Sequence, residues 1–345
     1  MNDGCDECEM WRQKGASFCP ICGSRLDKPP ERPVFDMLVL LGVTAVAFII
    51  LYNAAYIAYN FGGICGELDG ARARATISLG LWSVQLFEYG GLWLEVVLIL
   101  DVLIEVACVL YGLWRLYTLL QERPEDYPAQ ATAGISIATA ALAISLFVSL
   151  IGIILSALLG QAPDTSWIND YSTYLIVYLV THAGVSEELM FRVLFIGFPM
   201  AIIALIMNRD KRSWQYLLGG FGMSKIAVVL IVFSSVLFGL AHYNGWGWSK
   251  VPITFFGGIV FAYVYTEYGL YASIIMHTAN DTLLTLTYGG LSLLSVVAEF
   301  SLMILGAIVM IYWILHPNRE VLDFKNMQMF PEKLEHNLIE QWKRH

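Results

Sequence analysis

Residues 131–159 read ATAGISIATAALAISLFVSLIGIILSALL, a stretch without a single charged side chain. As an α-helix rising about 1.5 Å per residue it is about 43 Å long, more than the roughly 30 Å of hydrocarbon in a bilayer. Seven further apolar runs lie at 34–58, 92–120, 173–207, 226–242, 251–266, 270–288 and 291–315. One crossing per run predicts an all-α polytopic membrane protein of about eight transmembrane helices. The composition agrees, with 57% apolar and only 14% charged residues and a mean hydropathy of +0.62. A soluble surface needs about 25% charged residues. The net charge of −9 argues against a nucleic-acid footprint, which requires a basic face. So high an apolar fraction excludes disorder except near the ends.

Two segments depart from simple spans. Residues 173–207 are too long for one straight crossing, and Gly184 midway predicts a kink there. Residues 76–90, ringed by Trp82, Tyr89 and Trp93, predict an amphipathic helix lying at the membrane interface.

The cysteines divide unevenly. Cys5, Cys8, Cys19 and Cys22 form two CxxC pairs, whereas Cys65 and Cys108 sit alone among apolar neighbours and read as inert. Two such pairs can close a tetrahedral zinc site, and so short a segment would take its folding energy from the metal. The four cysteines resemble a zinc ribbon, placed at 1–26 and followed by a charged, proline-rich linker at 27–33. A ribbon keeps its thiolates in a reducing compartment, which argues for a cytoplasmic N-terminus. The opening residues also lack the basic start and apolar core of a cleaved secretory signal. With both ends inside, sixteen Lys and Arg fall on the cytoplasmic side and three, Arg72, Arg74 and Lys250, outside. That asymmetry fits the positive-inside rule. Residues 316–345 then form a cytoplasmic tail, and the short ribbon-fused chain points to a prokaryotic plasma membrane.

Ionisable residues inside apolar runs are costly and are functional candidates. In Ser186-Glu187-Glu188-Leu189-Met190-Phe191-Arg192, Glu188 and Arg192 are i,i+4 neighbours that can neutralise each other. Glu187 points about 100° away and has no such partner. An unpaired acid in low dielectric suits a general base. Phe238 and His242 share a helix face, as do His277 and Asp281, with Asn280 beside them. Two histidines and a free glutamate on three spans could hold a water and polarise a carbonyl, directly or through a metal. Glu95, Asp101 and Glu105 read as a polar seam facing other helices, and His182 as a packing hydrogen bond.

Glu187-Glu188-x-x-x-Arg192, Phe238-x-x-x-His242 and His277-x-x-x-Asp281, in that order, resemble the three-motif signature of the CAAX protease and bacteriocin-processing family. That family includes the type II CAAX prenyl endopeptidases. The resemblance covers about 131–315, a catalytic membrane core, with 34–130 as preceding membrane helices. It implies an intramembrane endopeptidase acting near the C-terminus of a lipidated or membrane-tethered peptide. By the resemblance, Glu187 activates water, His242 helps to hold it, and His277 and Asp281 stabilise the oxyanion. Glu188, Arg192 and Phe238 support them. Asparagine often occupies the last motif position. Asp281 would therefore be protonated, orient His277 or bind a metal, with Asn280 as an alternative donor. A catalytic metal stays open beside the structural zinc. Axial rise places His242 near the outer end of its run and His277 near the inner end of another, so a shared site needs tilted or staggered helices, or a re-entrant 243–266. The other classes left open are a catalytically silent scaffold or immunity protein recruiting a cytoplasmic partner through the ribbon, and an ion or proton carrier using the membrane acids.

Overall fold

The computed structural model describes residues 33–121, 133–208, 213–315 and 327–331. The ribbon cysteines Cys5, Cys8, Cys19 and Cys22, the linker up to residue 32 and most of the tail lie outside the described residues. Helical rods occupy the eight apolar runs. They are α1 (Pro33–Tyr59), α3 (Leu92–Gln121), α4 (Gly134–Leu158), α5 (Thr173–Glu188) continuing into α6 (Phe198–Asn208), α7 (Lys225–Ala241), α8 (Lys250–Tyr268), α9 (Leu270–Leu286) and α10 (Ser292–Leu315). A short α2 (Phe61–Leu68) follows α1. Serine hydroxyls cap two of the rods that carry the site. Ser172 accepts from the Leu175 amide at 3.2 Å before α5, and Ser224 accepts from the Ala227 amide at 3.2 Å before α7.

Among the described residues, six helices are long and apolar enough to cross a membrane, which marks an integral multi-pass membrane protein. The 46-residue stretch Leu270–Leu315 counts as one of the six. It is nonetheless bent back on itself: Gly290 (φ +84) interrupts it, and the Ser295 hydroxyl donates to the Leu283 carbonyl at 3.0 Å. In a straight helix residues twelve apart would be about 18 Å apart. By the same measure α8 is not among the six, having Lys250 and Glu267 near its ends and Tyr263 and Tyr265 between. Outward faces carry exposed Leu41, Leu103, Val229, Phe300 and Ile304, an apolar girdle suited to lipid.

The helices pack around α9, which contacts α1, α3, α4, α5 and α8. Twelve of its seventeen residues are buried, so most of its surface is enclosed, with Leu284 exposed. A polar seam runs through this packing. His182 Nδ1 lies 2.8 Å from Asp101, Thr278 donates to Glu105 at 3.3 Å, and Asn53 joins Thr181 (3.0 Å) to Thr285 (2.9 Å). Asp101 and Glu105 thus face other helices, and His182 makes the packing hydrogen bond expected of it.

Two expectations are corrected. Residues 76–90 are not an interfacial helix. They belong to an antiparallel hairpin of β1 (Arg72–Leu79) and β2 (Trp82–Gly90), bulged between Ala75 and Thr76. Thr76, Ile77, Val84, Phe87 and Tyr89 favour strand, and Gly80 (φ +78) opens the two-residue turn that closes the hairpin. The aromatic ring of residues that suggests an interfacial helix is equally available to a strand pair.

The second correction concerns the long run. The helix does not break at Gly184. It changes gauge after Glu188, where Leu189–Gly197 is π-helical. Gly184 serves close approach instead, since a Cβ there would lie 2.6 Å from Thr278 Oγ1 and 2.9 Å from its Cα. Gly184→Ala should therefore push α5 off α9 and cost about 1–3 kcal/mol of stability, read as a lower midpoint in a detergent unfolding titration. An unchanged midpoint would contradict that contact.

Candidate active site

Glu187 and Glu188 end α5 side by side, and the helical twist sends them into different surroundings. Glu188 is wholly buried. Its Oε2 lies 3.4 Å from Arg192 Nε and accepts from the Ser273 hydroxyl, while its Oε1 lies 2.7 Å from His277 Nδ1. Arg192 is equally buried, donates to Ser234 at 3.3 Å, and lies over the rings of Phe238 (4.9 Å) and Phe261 (5.6 Å). The expected Glu188–Arg192 pair exists, and Glu188 does more: it fixes the ring of His277.

Glu187 points to the cavity side, its side chain a quarter exposed. Its Oε2 lies 3.6 Å from His277 Nε2 and 4.0 Å from His242 Nε2, and makes no hydrogen bond among the described residues. The two histidines expected at different depths therefore meet at one carboxylate. His242 caps the end of α7, whereas His277 is seven residues into the short α9, about 10 Å along its axis.

The proton arrangement follows from the partners. His242 Nδ1 is 2.9 Å from the Phe238 carbonyl, which can only accept, so Nδ1 carries the hydrogen. His277 Nδ1 likewise donates to the Glu188 carboxylate. In the neutral ring of His242, Nε2 is then an acceptor, whereas His277 Nε2 faces the acceptors Glu187 Oε2 at 3.6 Å and Asp281 Oδ2 at 3.5 Å, a setting that suits a ring carrying a hydrogen on Nε2 as well. The two acceptors Glu187 Oε2 and His242 Nε2, 4.0 Å apart, suit a water that donates one hydrogen to each. Phe238 packs edge-on to both rings, with centroids 4.8 Å from His242 and 5.9 Å from His277, and Phe261 stacks on His277 at 4.5 Å.

Asp281 Oδ2 is 3.5 Å from His277 Nε2, so this carboxylate faces the reactive nitrogen of the ring. The Asn280 amide donates to Asp281 Oδ1 at 2.8 Å. That bond uses one of the two N–H groups of the Asn280 amide. Among the described residues no group of three or more His, Cys, Asp or Glu side chains is arranged to hold a metal ion.

Glu187 and His242 open onto a cavity of about 560 Å³. Its other walls are Met190 and Phe191, the hairpin residues Thr76, Ser78, Gly80, Trp82 and Ser83, and the aromatic residues Trp167, Tyr171 and Trp246. Three contributors were not legible as site residues. Ser273 lies one turn before His277 on α9, a face relation that could have pointed to it. The hairpin is remote in sequence and carries no motif. Lys250, counted simply as an outer-loop cation, holds its Nζ 4.6 Å from the centre of the Trp246 ring and acts electrostatically on both Asp281 and Glu187.

No curated protein and no solved structure matches the chain. Residues 169–283 do match the family model described as type II CAAX prenyl endopeptidase Rce1-like, which covers one third of the sequence. Since Glu187, Glu188, Arg192, Phe238, His242, His277, Asn280 and Asp281 all fall within that match, the part of the chain that builds this site is the part similar to the type II CAAX prenyl endopeptidases.

Proposed function

We propose that the protein is an intramembrane endopeptidase that hydrolyses a peptide bond near the C-terminus of a lipidated or membrane-tethered substrate, with water activated by Glu187. One observation carries this reading. Of two adjacent carboxylates, Glu188 is consumed by Arg192, Ser273 and His277, while Glu187 stands free between two imidazole nitrogens.

The chemistry follows from those positions. Water held by Glu187 and His242 gives a proton to Glu187 as its oxygen attacks the scissile carbonyl. His277, its Nδ1 anchored by Glu188, presents Nε2 to the reacting centre and, protonated, donates to the tetrahedral oxyanion. Glu187 then returns the proton to the departing amine. Asp281 sits against His277 and positions it. Lys250 offsets the negative charge that Asp281 and Glu187 bring to one site.

The outer parts of the reading belong to the same proposal. Both termini face the cytoplasm of a prokaryotic cell. Cys5, Cys8, Cys19 and Cys22 hold one structural zinc, and the ribbon so formed engages a cytoplasmic protein. Metal analysis should find one zinc per chain, lost in Cys19→Ser; a zinc-free wild type would end the assignment.

The test of the activity is a quenched farnesylated CAAX peptide offered to the detergent-purified protein, with release of the C-terminal tripeptide followed by mass spectrometry. Cleavage that persists in chelator supports water activation by Glu187 alone. Loss that zinc restores, also in protein lacking residues 1–26, assigns a catalytic metal. No cleavage of any lipidated or membrane-tethered peptide would sink the proposal.

A further inference from the structure

Among the described residues the hairpin wall of the cavity has no third strand, and the outer side of β1, which also touches α7, is without a strand partner. Ser78 pairs with Ser83, one step from the Leu79–Trp82 pair that closes the two-residue turn. In an antiparallel ladder the closing pair is hydrogen-bonded, so the next pair points its amides and carbonyls outward. The structure shows this directly, because the Ser78 amide meets the Met190 thioether at 3.1 Å instead of a backbone carbonyl. Thr76, two residues earlier, faces the same way, and both residues line the cavity shared with Glu187 and His242. The outer edge of β1 is therefore a row of backbone groups beside the free carboxylate, with a weak sulfur acceptor on one of its donors.

We propose that this edge binds the substrate as an added strand, the peptide backbone pairing in extended form with Thr76 and Ser78 so that the scissile carbonyl lies at Glu187. The inference rests on the proteolytic reading and deepens it. A protease must hold its peptide extended to expose one carbonyl, and an unpaired strand edge supplies that shape through main-chain bonds alone, tolerant of side-chain sequence. Binding exchanges the Met190 sulfur for a carbonyl, a better acceptor, and the flexible methionine can turn aside. The hairpin at 72–90 lies outside the matched segment 169–283.

The test is a backbone N-methyl scan of a fluorescent farnesylated peptide, with binding read on the Glu187→Gln protein so that turnover plays no part. Methylating every second amide near the scissile bond should weaken binding about five- to tenfold, the loss expected for one main-chain bond, while the intervening amides tolerate it. Ser78→Pro, which removes a donor that a peptide carbonyl would accept from, should weaken binding of the unmethylated peptide by a similar factor. Gln85→Pro, on the far edge of β2 where proline also breaks no ladder bond, should leave the pattern intact. A flat response to methylation, or affinity unchanged in Ser78→Pro, would overturn the strand addition. So would failure of the peptide to bind. If binding alternates but the wild type cleaves nothing, the protease reading fails and the peptide groove stands.

Discussion

Glu187→Gln should yield a folded protein whose cleavage rate is about 10²–10⁴-fold below wild type, the range associated with loss of a general base. Glutamine keeps the shape of the side chain and loses only the ability to accept and return a proton. The fold should barely notice. Glu187 Oε2 makes no hydrogen bond among the described residues, and the nearest imidazole nitrogens are 3.6 and 4.0 Å away. Paired measurements of kcat and of the unfolding midpoint decide the matter. A mutant active to within tenfold would remove Glu187 from the chemistry. One that unfolds would make it structural.

Arg192→Met should do the opposite, costing stability first. The guanidinium is fully buried, and its loss leaves the Glu188 carboxylate with only Ser273 and His277 in a dry interior. Stranding one member of a buried ion pair costs about 3–5 kcal/mol, far more than an exposed pair is worth. Replacing both partners, Glu188→Gln with Arg192→Met, should recover much of that loss, because no charge is then left unpaired. Activity should not return with it. His277 would have lost the carboxylate that fixes its Nδ1, so the oxyanion donor would be misaligned. Denaturant titrations of the two single mutants and the double mutant give the coupling energy directly. A single mutant as stable as wild type would show the pair to be dispensable, and a fully active double mutant would release His277 from Glu188.

The split between these two acids was legible because it needs only helix geometry. An i,i+4 partner for Glu188 and a 100° turn to Glu187 are local facts. The positions of the rods were legible for a similar reason: uninterrupted apolar runs of this length have few other destinations. What escaped was tertiary. Nothing local says that Glu188 also reaches His277 across to α9, or that His242 and His277 meet at the same Glu187 oxygen. The hairpin was misread because aromatic and polar residues alternate there in a way that both a surface helix and a half-exposed strand can satisfy. The glycine turn at Gly80 and the β-branched and aromatic residues Thr76, Ile77, Val84, Phe87 and Tyr89 favoured the strand. The ribbon cysteines and the cytoplasmic ends rest on sequence reasoning alone.

The π-helical stretch Leu189–Gly197 carries a consequence for how this chain could tolerate change. Bonding from i to i+5 accommodates one more residue in each hydrogen-bonded loop than an α-helix does. The stretch therefore takes up an extra residue between the acids that precede it and the lipid-facing rows of α6 that follow. Removing one residue from it would let it close up as ordinary α-helix with the downstream phase largely kept, whereas removing one from the α-helical turn that follows would rotate everything downstream by about 100°. Exposed Ile202, Leu205 and Ile206 would swing away from the bilayer while buried Met200 and Ala204 turned towards it. The π-helical stretch can thus give up a residue that α6 cannot, and it is the length of α6 that is held by two solvents at once.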